Sequence, residues 1–358
     1  MLRWFNCAEN DNLTMVDVSN SFKYSEDNYL ICNGHKKLQN LNIVNCTKLE
    51  KCECYGNNLA ALDVLGLESL LHLNCGANKL VSLDLSPLKS LQFLSCGGND
   101  LTQLDISVCT NLTELDCRFL PISSYDFSTS QSLKTIYCGS DYITNIIFPT
   151  TIENIEVIRS PNLHSLDLTN CTQLKNLAAY ENINLSSVKL ANHPNFYSAQ
   201  LEYCNLSEID LSGSPNLKYL RINYNKFTKA PALPLGLSLL DISGNSVPDL
   251  DLSKHLELGT LHCASCQIPV LDLTKHTELG ELNCSGNPIT ELDLRYTKLF
   301  AIGGDDSGNS VAVYKLWCAS PTLKKLYLRP GWGFYGITDT RKDEYIHPNT
   351  EIIFMDID

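Results

Sequence analysis

No stretch of this 358-residue chain reaches the roughly 18 consecutive apolar residues of a membrane-spanning helix, so no membrane span is expected in it. Positive charge is scarce. The 27 Lys and Arg stand against 40 Asp and Glu, for a net charge of −13. That balance argues against nucleic acid as a partner, because phosphate binding needs clustered Lys and Arg. The opening residues MLRWFNCAEND lack the basic-then-apolar pattern of an export signal. There is no GxSxG, HExxH or phosphate-loop string. His262 falls near Asp241 by sequence frame, but no nucleophile with a distinctive local motif accompanies it, and His72 and His164 are isolated. A nucleophile, a base and an orienting group must converge for catalysis. The expectation is therefore no enzyme, no catalytic residue and no cofactor.

What the chain does have is self-similarity. Units of about 21 residues begin at Leu49, Leu70, Leu91, Leu112, Leu133, Ile152, Leu174, Phe196, Leu217, Leu237, Leu258 and Leu279. With that first residue as position one, positions four and six are also apolar, as in Leu70, Leu73 and Cys75 or Leu217, Leu220 and Ile222. A spacing of two places both side chains on one face of a short strand. Position nine is Asn57, Asn78, Asn99, Asn182, Asn225, Asn245 and Asn287, with Cys204 and Cys266 in two units. A turn leaves backbone groups inside the bend, and an Asn amide both donates and accepts, so this row reads as scaffold. The second half of each unit repeats strand-like spacing, as in Leu80, Leu83 and Leu85, which predicts two short extended segments per coil and little room for a helix.

The sixteen cysteines follow the same frame. Cys7, Cys54, Cys75, Cys96, Cys117, Cys138, Cys263 and Cys284 share position six with Val157, Ala179, Leu201, Ile222 and Ile242. A position that accepts Cys, Val, Leu and Ile is a buried one, so a reduced core ladder is expected rather than disulfides. Cys52–Cys54 and Cys263–Cys266 each stand without a second pair at finger spacing, so no metal site is expected.

The LxxLxL(C)xxN(C) string resembles the leucine-rich repeat, in particular the nested LxxLxCxxNxLxxLDLS variant of bacterial, Bacteroides-type surface proteins. It covers about residues 38–300. The resemblance implies a leucine-rich-repeat solenoid: a curved right-handed coil stack with a parallel β-sheet, beta-rich with little helix. It also implies protein recognition or adhesion, and export. Because Leu2, Phe5, Cys7 and Asn10 already match the frame, a segment carrying an export signal is expected upstream of Met1. The expected location is secreted or cell-surface, with cytoplasmic as the alternative. The expected organisation is 1–48 as degenerate coils with an inserted loop, SNSFKYSEDNYLICNGHKK at 19–37; 49–300 as regular repeats; and 301–358 as a half-coil and cap. The short unit at Ile152, Phe196 in place of Leu, and APALPLG at 230–236 are expected to bend or bulge.

Two exposed rows are candidates for function. Asp63, Asp84, Asp105, Asp126, Asp167, Asp210, Asp251, Asp272 and Asp293 each precede an apolar residue, which suits a local side-chain-to-backbone bond better than Ca²⁺. The second row is positions five, seven and eight, read as lying on the first strand. It is bland toward the ends (Asn74, Gly76, Ser95, Gly97, Asn283, Ser285) and rich in the middle. There it carries Arg118, Phe119, Tyr137, Arg159, Tyr180, Glu202, Tyr203, Arg221 and Tyr224, with Asp116, Glu156 and Glu181 among them. Exposed Tyr and Arg are enriched in interface hot spots. This row is the expected partner-binding site, for a protein ligand or, alternatively, a glycan. An intracellular repeat scaffold or effector is the competing reading. The aromatics Trp332, Phe334 and Tyr335 are a further candidate near the C-terminal end.

Overall fold

The structure, a computed structural model, describes residues 3–23, 28–299, 316–330 and 346–357, together with the backbone of 303–304 and 310–311. Trp332, Phe334 and Tyr335 lie outside the described residues. The chain divides into two compact units, Met1–Leu185 and Ser186–Asp358.

Each unit is a stack of coils whose first strands form a parallel sheet. In the first unit the strands are Trp4–Asn6, Tyr29–Ile31, Lys51–Glu53, His72–Asn74, Phe93–Ser95, Glu114–Asp116, Thr135–Cys138, Asn154–Val157 and Asn176–Ala178. In the second they are Ser198–Gln200, Tyr219–Arg221, Leu239–Asp241, Thr260–His262, Glu281–Asn283 and Leu316–Trp317. The position-four residues pair in register, as in Leu73 with Leu94, Leu94 with Leu115, Leu220 with Leu240 and Leu240 with Leu261. A one-residue slip would turn every such side chain outward, so the apolar frame fixes the register. Among the described residues there is no helix.

The anticipated breaks leave the sheet intact. Ile155 pairs with Ile136 and with Leu177, Leu240 pairs with Leu220, and both Ile152 and Phe196 are fully buried. Tyr29–Ile31 lies inside the stretch read as an insertion, yet it pairs with Lys51–Glu53 in the same frame. Leu30 and Cys32 fill positions four and six there, while the polar residues around them hide the pattern from a reading of the sequence.

A second strand forms in only some coils. Met15–Asp17 pairs with Asn40–Asn42, Ser124–Asp126 with Asn145–Ile147, and Glu291–Asp293 with Lys325–Leu328, which pairs in turn with Glu351–Phe354. Elsewhere the return half is built from turns. Leu88 N–H donates to Leu85 O and Leu91 N–H to Leu88 O, two consecutive turns that use the backbone groups a strand would offer its neighbour.

The core is the row of positions one, four and six. Cys54, Cys75, Cys96, Cys117, Cys138, Cys263 and Cys284 are buried free thiols. Burial pushes Cys75, Cys117 and Cys284 up to about 12, so they pack as neutral hydrophobes. Position nine closes the bend as its chemistry requires. The Asn99 amide donates to Cys75 O (3.1 Å) in the preceding coil and Cys96 O (2.8 Å) in its own, and its oxygen accepts Leu80 N–H (2.9 Å). Asn78, Asn225, Asn245 and Asn287 repeat the pattern. At position nine of another coil, Cys266 Sγ donates to Ile242 O (3.2 Å). A thiol has no second polar atom, so Val247 N–H of the preceding coil donates to the Cys266 carbonyl instead, and the Asn287 oxygen accepts both Cys266 N–H and Ile268 N–H. A further polar row, not anticipated, lies three residues before position one. His255 and His276, both buried, set Nε2 3.2 Å from the carbonyls of Leu233 and Leu252 in the preceding coils. Burial holds the His276 imidazole below its ordinary value.

Asn99 serves three buried backbone groups, of which only Cys75 O keeps a second side-chain donor, in Asn78, so Asn99→Ala is expected to lower stability by about 2–4 kcal/mol in denaturant unfolding. Asn111→Ala, which removes an exposed bond to Lys89 O, is expected to cost less than about 0.5 kcal/mol.

Candidate functional site

The nine candidate residues do not lie along one strand. Tyr137 and Arg221 stand at position five, inside Thr135–Cys138 and Tyr219–Arg221. Arg118, Tyr180 and Glu202 at position seven, and Phe119, Arg159, Tyr203 and Tyr224 at position eight, lie in the turn that follows the strand. Position eight has a backbone conformation of its own. Its φ is positive at Gly56, Ala77, Gly98, Phe119, Arg159, Glu181, Tyr203, Tyr224, Gly244, Ser265 and Gly286, between 51° and 72°. The bend forces this left-handed residue, and glycine adopts it without penalty. A residue with a Cβ pays about 1–2 kcal/mol there. Phe119, Arg159, Glu181, Tyr203 and Tyr224 are large residues at a position where other coils carry Gly, Ala or Ser.

In the first unit, Arg118 is committed to its own chain. Its guanidinium binds Asp116 (Nε to Oδ1 3.0 Å, Nη2 to Oδ2 2.8 Å) and Glu156 (Nη1 to Oε1 2.9 Å), and it lies 5.3 Å from the centre of the Tyr137 ring. It fixes the rim across coils rather than offering free donors. The bare Cα of Gly97 makes room for it: a Cβ there would meet Arg118 O at 2.6 Å. Phe119 is 54% exposed, directly beside this ion-paired cluster. Arg159 pairs with Glu181 at 2.7 Å, both partly in solvent, a geometry that contributes little to stability. Tyr180 is half-buried in the next coil.

In the second unit, Tyr203 and Tyr224 stack with ring centres 4.6 Å apart and planes 11° from parallel, each about half exposed. Gly244 is the floor of this stack, since a Cβ there would come within 2.6 Å of the Tyr224 ring. Arg221 is exposed, and it pairs in the sheet with Gln200 and Asp241. Glu202 keeps one buried carboxylate oxygen without a hydrogen-bond partner. Its carboxyl is pushed up by burial, against the pull of Arg221. Tyr197 and Tyr219, which the choice of positions five, seven and eight passed over, form an edge-to-face pair 5.1 Å apart. Tyr219 is at position three of its repeat unit, the first residue of its strand, and the alternation around Leu220 places positions three and five on the same outward face.

The residues considered for catalysis and metal binding have other partners. His262 lies between two carboxylates, with Nε2 3.1 Å from Glu281 and Nδ1 3.7 Å from Asp241. The Asp241 hydrogen bond, with the two negative charges, holds the imidazole above its ordinary value despite its burial. Both ring nitrogens face carboxylates, so the ring bridges neighbouring strands. All nine residues of the Asp row accept the backbone N–H two positions on, at 2.9–3.1 Å. These bonds, from the backbone and hydroxyl of the following Ser, hold Asp84, Asp210 and Asp251 below the usual carboxylate range. They place the row at a structural bend. Among the described residues, no group of three or more His, Cys, Asp or Glu is placed to hold a metal ion. Nor is any helix long and apolar enough to cross a membrane.

No family model matches the sequence, and no curated protein matches it. Solved structures do. A leucine-rich-repeat protein of Leptospira interrogans is similar at 19% identity and a TM-score of 0.52, over 78% of this chain and 86% of that one. YopM of Yersinia enterocolitica is similar at 22% identity and 0.53, over 84% and 64%. A chain of the Toll–Spatzle complex of Drosophila is similar at 17% identity and 0.56, over 82% and 48%. The fold of this chain is therefore the leucine-rich-repeat solenoid, and bacterial repeat proteins are among its structural neighbours.

Glu202 yields a test of the site electrostatics. A carboxyl whose folded value is raised binds more protons folded than unfolded. The parent is therefore expected to gain stability from this group as pH falls from 7 toward 5. Glu202→Gln should leave stability at pH 7 equal or higher and remove that gain, as read by denaturant midpoints at the two pH values.

Proposed function

We propose that this chain is a non-catalytic recognition module that holds a protein partner at the corners following its sheet strands. The observation that carries the reading is the left-handed position eight. Phe119, Arg159, Glu181, Tyr203 and Tyr224 occupy a conformation that costs a residue with a Cβ about 1–2 kcal/mol, and their side chains point into solvent rather than into the core. Strain kept at exposed aromatic and charged residues is a pointer to function. Large rigid aromatics beside ion-paired rims match the composition of interface hot spots. In the first unit the patch is Phe119, Tyr137, Arg159 and Tyr180 on the framework of Arg118. In the second it is Tyr203, Tyr224 and Arg221 beside Glu202.

The similarity to a chain solved in the Toll–Spatzle complex, a protein held by a protein, supports a protein ligand over a glycan. The nested repeat string, which resembles that of bacterial surface proteins, supports a bacterial adhesion protein, secreted or at the cell surface. One observation favours the alternative, an intracellular scaffold or effector: every one of the sixteen cysteines is a free thiol, as suits a reducing compartment.

The test is capture of extracellular proteins, cytosolic proteins and glycan arrays by the parent and two variants. One carries Phe119→Ala and Arg159→Ala, the other Tyr180→Ala, Tyr203→Ala and Arg221→Ala. The expected result is a protein ligand held by the parent and lost, by tenfold or more in affinity, in at least one folded variant, each such residue contributing about 1–2 kcal/mol or more. Equal retention by both variants contradicts the proposed site, and the class of the captured ligand separates the surface from the intracellular reading.

A further inference from the structure

Two buried acceptors in the second unit meet no donor. Glu202 and Asn223 hold position seven in neighbouring coils. The register that sets Gln200 against Arg221 continues past the strands, where Leu201 N–H donates to Arg221 O (2.9 Å) and Tyr203 N–H to Asn223 O (3.1 Å), so the two residues stand side by side. Leu201 and Ile222 turn into the core, and alternation turns the residue after each of them outward. Oε2 of Glu202 and Oδ1 of Asn223 are both buried, and neither has a hydrogen-bond partner. Asn223 is 8% exposed, whereas Glu202 is half-buried. The polar groups of the next coils are already engaged. Asp241 Oδ1 accepts Ser243 N–H (3.1 Å), His262 lies between Asp241 and Glu281, and Ser243 Oγ accepts Ala264 N–H (3.1 Å). Arg221 attracts Glu202 through space but does not bond its buried oxygen. An unpaired buried acceptor is costly, and two ionised or carbonyl oxygens side by side cannot serve each other. A hydroxyl or an amide would bring a further acceptor along with its donor. A Lys ammonium or an Arg guanidinium brings donors alone, with a positive charge for the carboxylate. The next residue of each coil supplies a second feature: Tyr203 and Tyr224 stack with ring centres 4.6 Å apart, each about half exposed. Such ring faces attract a cation and pack its aliphatic stem. The net charge of −13 favours the approach of a basic partner.

We propose that Glu202 and Asn223, beside the Tyr203–Tyr224 stack, form the seat of a basic side chain, lysine or arginine, presented by the protein partner. The inference rests on the recognition reading above and gives one of its anchors a chemistry. The Glu202 side chain, partly in solvent, is the movable half, and its rotation opens the way to Oδ1 of Asn223. Glu202 then pairs with the cation, Asn223 accepts a second N–H, and the stem of the basic side chain lies along the exposed tyrosine faces. Arg221, at position five, repels a second cation and confines the anchor to the tyrosine end of the site. Docking supplies hydrogen bonds that folding leaves unmade, so the groups that cost the free chain stability are the ones that hold the partner.

The experiment selects random short peptides displayed on phage against the full chain, and screens the binders against a variant carrying Tyr203→Ala and Tyr224→Ala to identify those held at the stack. The expected result is that these peptides share a Lys or an Arg. Exchanging it for norleucine or citrulline should weaken binding to the parent by about tenfold or more, and should change binding to Glu202→Gln far less, because that variant has no charge to pair. A measurement without any peptide tests the geometry. Asn223→Leu should unfold at the same denaturant concentration as the parent or at a higher one, because the oxygen it removes bonds nothing. Stack-dependent peptides with no basic residue, or an equal loss in parent and Glu202→Gln on exchanging it, would overturn this inference and leave the recognition reading standing. A clear loss of stability in Asn223→Leu would also overturn it, by showing that the amide is paired within the chain. Recovery of no peptide, or retention of every peptide by the tyrosine variant, would overturn both this inference and the recognition reading of the second unit.

Discussion

Everything in this molecule turns on how the backbone is satisfied where each coil leaves its strand. A chain that bends through a buried corner strands N–H and C=O groups inside the bend, and each one left unpaired costs about 1–3 kcal/mol. The position-nine amide answers three of them at once, in its own coil and its neighbours, as at Asn78, Asn99, Asn225 and Asn245. With that corner fixed, the residue before the amide is driven into the left-handed region. The apolar residue at position six, Cys in many coils, points into the core. The inward ladder position and the exposed corner residue thus follow from one hydrogen-bonding problem, which Asn solves in most coils, while the apolar frame fixes the register.

The same constraint explains what could be read from the amino-acid order. The apolar frame, the buried cysteines and the scaffold role of Asn are legible because they recur at fixed spacing. So is the local role of the Asp row, which each Asp achieves with the N–H two residues on. The left-handed position is less so. Glycine at 56, 98, 244 and 286 marks it, but Phe119, Arg159, Tyr203 and Tyr224 disguise it, because spacing alone assigns them to the strand instead of the turn. The strand Tyr29–Ile31 escaped notice because only Leu30 and Cys32 of its coil keep the pattern. The second strand was expected in every coil, yet consecutive turns such as Leu85–Leu88–Leu91 take up the backbone groups it would have used. Which donors are free is invisible in sequence: Arg118 looks like an anchor for a partner and is instead tied to Asp116 and Glu156.

The division of labour between inside and outside follows from this. The interior rows carry polar groups: the Asn amides and Nε2 of His255 and His276 turn to the backbone, and the ladder thiols are buried in the core. In the proposed reading, the position-eight corners carry side chains that the scaffold does not require. Their chemistry varies from coil to coil while the backbone beneath them does not, which is how a repeat array holds a binding surface on an unchanging frame. His262, between Asp241 and Glu281, shows the same economy: a residue type associated with catalysis is used as a link between strands.

The central claim is that the bulky corner residues are dispensable to the fold. It is tested most directly by equilibrium unfolding of a chain carrying Phe119→Gly, Arg159→Gly, Tyr203→Gly and Tyr224→Gly together. Glycine removes a left-handed penalty of about 1–2 kcal/mol at each site and returns roughly 0.4–1 kcal/mol of it through a freer unfolded chain. Stability equal to or above that of the parent is predicted. A loss of several kcal/mol would mean that these side chains hold the coils together, and that the corners belong to the scaffold.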